Sequence, residues 1–380
     1  MLPACLGDTT GNDSTTNPRQ IQVVAEGPFT GDQASIGMGA LQAVKLAVDD
    51  FNSRGGAHGT RVQLVIWDDH HDPNVAATQQ AQGLGDPTIL GMIGPMNADV
   101  AAASATRLQR AGPPLPFISE SVADPKLTDA GLTVAHRVTA RDERQATLAA
   151  QFMINQGGRK IEIIDSGTDY SRPMADAAEA YLHANASVVT TERSTARRGG
   201  KDFKAIVSKL KAFGADWVFF ADEGPDTIVL AQQMVQAGLK LGENIQLLVT
   251  DQVINGHVPT ADLQGALVSQ ITADPQSVPG ASGFVNTFKA KYGKDSLTTA
   301  GPFYGSAYAA TQVVLQAINA SPVKDGTIAR ADVLKHLGSD TFSTIFGPLK
   351  FDAKGDPQKT AISIFRIGAQ GIGSLTVVRD

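Results

Sequence analysis

Five consecutive ligand-type side chains, Asp68, Asp69, His70, His71 and Asp72, stand between Trp67 and Pro73 in the stretch WDDHHDP. Two imidazoles and three carboxylates in a row raise the question of a metal site. The spacing argues against one. A zinc-binding helix sets its two histidines four residues apart on one face, whereas the side chains of adjacent residues diverge. Asp72 followed by Pro73 reads instead as helix-start chemistry. The aspartate accepts orphan amide protons, and proline suits the first helical position because its missing N–H is not needed. The stretch is expected to be a structural loop that ends a strand and opens a helix over 74–82, with no metal bound.

Two further stretches imitate catalytic loops. Asp165-Ser166-Gly167-Thr168 matches the loop of aspartic proteases, but those enzymes share a proton between two such loops and no second copy occurs. It reads as a strand end followed by a turn. Gly37-Met38-Gly39 hints at a dinucleotide loop, yet Gln42 stands where the third glycine belongs. A helix-opening glycine pair is the simpler reading. No phosphate-binding Gly-x-x-x-x-Gly-Lys-Ser/Thr loop is present, and no Ser, His and Asp are locally marked as a nucleophilic set. A binding protein without cofactor is expected, and not an enzyme.

The elements that must position any site come from the rest of the chain. At 380 residues, 42% hydrophobic and 18% charged, the sequence is long enough for two domains with ample core. Its 32 Lys plus Arg against 38 Asp plus Glu give a formal charge of −6, with no basic run to hold a phosphate backbone, so nucleic acid is excluded as a partner. No apolar run approaches the roughly 20 residues of a membrane-spanning helix. The single cysteine, Cys5, follows Leu2-Pro3-Ala4 as at the end of a bacterial lipoprotein signal. The polar segment 7–19 after it reads as a flexible tether. Residues 1–19 are thus a tether anchored by a lipid on Cys5, or a tag carrying an ordinary thiol.

From Ile21 onward, short β-branched runs alternate with amphipathic helices. Strands are expected at 21–25, 62–67, 89–93, 115–118, 161–164, 187–190, 217–220 and 245–249. A helix is expected over 37–51, with Leu41, Val44, Val48 and Phe51 at spacings of three and four, stopped by Gly55-Gly56. This order argues parallel sheets covered on both faces, and the number of strands argues two of them. Open parallel sheets bind ligands beyond the carboxyl ends of their strands, so the strand ends are where a site belongs.

The motifs also fall in one ordered series: Glu26-Gly27-Pro28-Phe29-Thr30-Gly31-Asp32, Asp50-Phe51-Asn52, Gly59, Asp72-Pro73, Ile93-Gly94-Pro95, Pro116-Phe117-Ile118-Ser119 and Asp124-Pro125. It continues through Arg137, Asp142, Gln145, Asp169-Tyr170, Lys201-Asp202-Phe203, Asp216-Trp217-Val218, Gly301-Pro302-Phe303-Tyr304 and Gly347-Pro348. From Gln20 to about residue 365 the chain resembles the leucine/isoleucine/valine-binding protein family, the type I periplasmic substrate-binding proteins of ABC importers. The resemblance implies an α/β fold of two doubly wound lobes with parallel sheets, joined by a three-crossover hinge. The N-lobe would comprise 20–139 and 274–343, and the C-lobe 140–273 and 344–380.

Ligand would then lie in the interlobe cleft and be held by hinge closure. The resemblance puts Asn97 and Ala98 after the third strand, and Glu120, Ser121 and Val122 after the fourth, against the ligand. Ala98 and Ala123 stand where the amino-acid binders carry hydroxyls. Glu120 would repel a ligand carboxylate unless it points away or is paired. From the second lobe, Tyr170 would supply an aromatic wall and Asp251 a counter-charge for an ammonium, while Ile36 and Phe303 line the apolar part. Glu223 and Glu120 either face the ligand or cap helices. The implied function is an extracytoplasmic solute-binding protein of an ABC importer that takes an amino acid or related amine. Its partners would be that small molecule and an ABC permease in the membrane, and the chain is expected to be a monomer in the periplasm or another extracytoplasmic space. A ligand-sensing regulator on the same fold, or a binder of amides or aromatic acids, is the alternative.

Overall fold

The computed structural model describes residues 18–222, 224–253, 261–369 and 371–380. Five strands, β1 (Ile21–Gly27), β2 (Val62–Asp68), β3 (Ile89–Ile93), β4 (Phe117–Ser119) and β5 (Ala135–Arg137), form a first sheet in the order β2-β1-β3-β4-β5. Every pairing in it is parallel. Alternate residues of β1 serve opposite cores: Val23 and Ala25 meet the helices Ala34–Ser53 and Tyr304–Ala320, while Val24 meets Ala101, Ala105 and Leu108 of the helix Ala98–Arg110. A strand buried on both faces reads as a continuous apolar run, which is why β1 and β3 were plain in the sequence.

The second sheet contains β6 (Lys160–Asp165), β7 (Thr190–Thr195), β8 (Trp217–Ala221), β9 (Gln246–Thr250) and β10 (Leu267–Gln270). Two small hairpins follow, β11 (Val323–Lys324) with β12 (Thr327–Ile328) and β13 (Phe342–Thr344) with β14 (Gly347–Leu349), before β15 (Ala361–Gly368) and β16 (Gly371–Arg379) complete the second sheet. Its order is β16-β15-β10-β9-β8-β6-β7. The pairings from β7 to β10 are parallel, and β15 and β16 add an antiparallel edge that the sequence reading did not include. Ile161, Ile163 and Phe219 face the helices Asp142–Asn155 and Ser171–Ala184, whereas Ile164, Val218 and Phe220 face Lys204–Phe213 and Pro225–Gln236. Each buried side chain of this kind contributes about 1.5–3 kcal/mol.

Local expectations hold with shifted limits in two places. The first helix runs Ala34–Ser53 and the one after WDDHHDP runs Pro73–Gly83, with Asp72 accepting from the Asn74 amide at 2.8 Å. The strand expected at 187–190 lies instead at Thr190–Thr195, an edge strand of polar residues whose apolar signal sits only in the residues before it. Gly37 and Gly39 are packing glycines. A Cβ would stand 2.2 Å from the Pro28 carbonyl oxygen at Gly37, and 1.8 Å from that of Ala300 at Gly39.

The chain passes between the two sheets three times: after β5, after β10, and between β14 and β15. β14 pairs with β13 and the Phe351 ring lies tilted beside that of Phe342, so the third passage falls after Phe351. The passages are tied together. Ala140 donates its amide to the Ile271 carbonyl at 3.0 Å, and Ser363 donates to that of Thr272 at 3.1 Å. Asp356 of the third passage receives Arg137 Nε at 2.6 Å, Arg141 Nη1 at 2.9 Å and the Thr128 hydroxyl at 2.9 Å. Arg137 is fully buried, so this knot satisfies a charge that has no water.

Candidate functional site

The carboxyl ends of the two sheets face each other across a cleft of about 900 Å³. One wall begins with Pro28 after β1 and continues with Met96, Asn97 and Ala98 after β3, then Ser121, Val122 and Ala123 after β4. Gln33 and Ile36, at the start of the first helix, and Phe303 complete it. The other wall is Thr168, Asp169 and Tyr170 after β6, Arg198 after β7, and Asp251 and Gln252 after β9. Asp142 and Glu143, which open a helix, also line the cleft.

The two loops of the first wall are held to each other. Ser121 donates its hydroxyl proton to the Met96 carbonyl at 2.7 Å, and Ser119 donates to that of Pro95 at 2.9 Å. The Ser121 hydroxyl therefore meets the cleft with its lone pairs, and the donor role expected for it toward a carboxylate is spent on the backbone. Asn97 Nδ2 donates to Gln33 Oε1 at 2.8 Å.

Electrostatically the cleft is acidic. Among the described lining residues, the carboxylates of Asp124, Asp142, Glu143, Asp169 and Asp251 outnumber the cations Lys126 and Arg198. Asp251 is only 2% exposed, and burial pushes its carboxyl up to about 6 even though Gln145 Nε2 donates to Oδ1 at 3.0 Å. Asp142 is pushed up to about 7, first by loss of water and then by repulsion from Asp251, Asp124 and Glu143. Two carboxyls that resist ionising side by side are a ready receptor for a cation, which restores the missing counter-charge.

Of the residues singled out in the sequence, Ile36, Asn97, Ala98, Ser121, Val122, Tyr170, Asp251 and Phe303 meet at this cleft. Glu120 does not. It is not among the residues that line the cleft; it is 2% exposed, and desolvation pushes its carboxyl up to about 8. Glu223 and Cys5 lie outside the described residues. Gln33, Asp142, Glu143, Thr168 and Arg198 line the cleft without having been singled out as site residues; Asp142 and Glu143 open a helix instead of ending a strand, so a search of strand ends passes them by.

WDDHHDP borders this wall. Asp68 accepts from the Phe29 amide at 2.9 Å and the Thr30 hydroxyl at 2.6 Å, and Asp69 accepts from the His71 amide at 2.8 Å. His70 and His71 take left-handed backbone angles, φ 52° and 59°, and their Nδ1 atoms meet Thr30 Oγ1 and Gln33 Nε2, each at 2.7 Å. Every member of the row has a local partner.

A sequence model of the periplasmic binding proteins matches residues 20–371, nearly the whole chain. The chain belongs to the periplasmic binding protein family. It is 28% identical over 356 residues to the Leu/Ile/Val-binding protein homolog 2 of Brucella abortus, covering 92% of this chain and 91% of that one. To the Leu/Ile/Val-binding protein of Escherichia coli it is 27% identical over 376 residues, covering 98% and 96%. An ABC transporter substrate-binding protein from Desulfitobacterium hafniense, solved in complex with Leu, superposes with a TM-score of 0.75 at 22% identity over 94% of this chain and 100% of that one. This periplasmic binding protein is thus an extracytoplasmic binder that works with an ABC transporter, and not an enzyme. No helix among its described residues is long and apolar enough to cross a membrane.

Proposed function

We propose that this periplasmic binding protein takes an amino acid or a closely related amine into its cleft, with the ammonium on Asp251 and Asp142 as a second carboxylate. The observation that carries the reading is the buried, strand-end carboxylate of Asp251 facing an acidic cleft. A desolvated ammonium needs a fixed counter-charge, and Asp251 offers one whose Oδ1 already accepts from Gln145 Nε2. Ile36, Val122, Tyr170 and Phe303 supply apolar surface for the rest of the ligand. That Leu/Ile/Val-binding relatives span the same length supports an aliphatic amino acid first.

The lobes are proposed as 20–139 with 274–351, and 140–273 with 352–380; residues 344–351 go with the first because β14 pairs with β13. Hinge closure over the ligand, hand-over to a membrane permease, a monomeric state and a lipid on Cys5 complete the proposal.

Calorimetry with leucine, with the amine that lacks its carboxylate and with the acid that lacks its ammonium tests the reading. Leucine and the amine are expected to bind and the acid to fail. Asp251→Ala should weaken leucine binding by about 2–5 kcal/mol, the loss seen when one partner of a buried charge pair is removed. Unchanged affinity in that variant, or tight binding of the amine-free acid, refutes the ammonium role.

A further inference from the structure

We infer that Gln145 is a positioning residue for the ligand: its side-chain amide fixes the Asp251 carboxylate and, through the helix Asp142–Asn155, sets where that carboxylate stands relative to Asp142. Gln145 is fully buried. Its Nε2 lies 3.0 Å from Asp251 Oδ1, 2.8 Å from the Ser269 carbonyl oxygen and 3.1 Å from Ser269 Oγ. The Ser269 carbonyl can only accept, and Ser269 Oγ gives its own proton to the Val249 carbonyl at 3.1 Å. The donor end of the amide is therefore the end that faces Asp251, whatever the protonation of the carboxyl. The other end bears the cost. Gln145 Oε1 is buried with no hydrogen-bond partner among the described residues, which marks an amide oriented by what its nitrogen must hold.

Asp251 needs such a tie because of where it stands. It lies one position past β9, in the short turn Asp251–Val253, beyond the last residue of the strand, Thr250, which pairs with Ser269 of β10. One nitrogen of Gln145 bridges this strand end to β10, so the carboxylate is registered against both strands and against the helix. Asp142 precedes Gln145 by three residues, on the same face of that helix, and the repulsion of Asp251 reaches it. One turn of helix thus sets the spacing of the two carboxyls that, in the reading above, share an ammonium. The other charged groups acting on Asp142 are Asp124, Glu143 and Arg137. The bond from Gln145 also favours the ionised form of Asp251 against the burial that opposes it. That an ammonium arrives at Asp251 rests on the proposed function; that Gln145 fixes Asp251 does not.

Carboxyl-carbon NMR of the unliganded full chain reads the tie before any ligand is added. Gln145→Met keeps the length of the side chain and removes the donor. The Asp251 midpoint is expected to rise from about 6 to about 7, as the loss of one hydrogen bond to a carboxylate requires. Calorimetry with leucine should then show about a tenfold loss of affinity at about pH 8, where Asp251 is ionised in both chains and only its placement differs. At about pH 5 the loss should be about tenfold larger again, because the variant holds its proton more tightly. In the native chain the Gln145 Nε2 proton signals should move with a midpoint of about 6, a reading that needs no variant to fold. Three results overturn the inference: an Asp251 midpoint that stays at about 6 in Gln145→Met, Nε2 signals that stay flat through the native midpoint, or an equal loss of affinity at both pH values, which is what a packing role alone would give. Leucine and its amine bound by neither chain, with the Asp251 midpoint moved in the variant, removes the proposed function alone.

Discussion

Burial holds the Asp251 and Asp142 carboxyls at about 6 and about 7. Both values lie above the ordinary aspartate value, so the unliganded fold carries extra protons between about pH 4 and about pH 7, and its stability falls as pH rises through that window. An ammonium favours the ionised forms and expels those protons. Binding is therefore expected to release protons near neutrality and to tighten as pH rises from about 5 to about 8. Calorimetry in two buffers of different ionisation heat measures the release, and Asp142→Asn should shrink it. Glu120, held at about 8 by desolvation and with Oε2 unpartnered, makes a second case. Glu120→Gln should gain on the native protein in melting temperature as pH rises from about 4.5 to about 8, because the unfolded carboxyl ionises there while the folded one keeps its proton, and the gap should close below that window. Asp251 was legible in the sequence because it ends an apolar strand. Glu120 also ends one, yet its side chain turns inward, and the sequence carries no mark of which way a strand-end side chain turns.

At the scale of elements, the hinge is held by a buried charge. Asp356→Ala would leave Arg137 fully buried with its main counter-charge gone, and is expected to cost about 3–5 kcal/mol in urea unfolding. Replacing both, as Arg137→Met with Asp356→Leu, should recover most of that loss, because an apolar pair of similar volume needs no water. The strands that the sequence marked clearly, β1, β2, β3, β6, β8 and β9, carry runs of β-branched and aromatic residues. β10 is four residues long and half polar, Leu-Val-Ser-Gln, and was missed. Its Ser269 is buried because Gln145 and the Val249 carbonyl satisfy the hydroxyl, a tertiary circumstance with no local signature. β16 lies at the sheet edge with Ile372 and Leu375 exposed, so its pattern reflects no buried face.

For the molecule as a whole, the cleft links two sheets through three short passages, and a ligand that contacts both walls shifts the population toward the closed arrangement. Small-angle scattering should record a smaller radius of gyration on adding saturating leucine, with no change for Asp251→Ala at the same concentration. A native protein that binds leucine without contracting would place the ligand on one wall only. The return of the chain to the first sheet has a further consequence. The helix Tyr304–Ala320, almost wholly buried against β3, β4 and the helix Ala34–Ser53, is made about 170 residues after β5 is finished. At ribosomal speeds of ~5–20 residues per second that is a wait of roughly 10–30 seconds. Throughout it Ile93 and Ile118 lack the helix that covers them in the finished protein, so the nascent chain carries an open apolar face until its last fifth arrives.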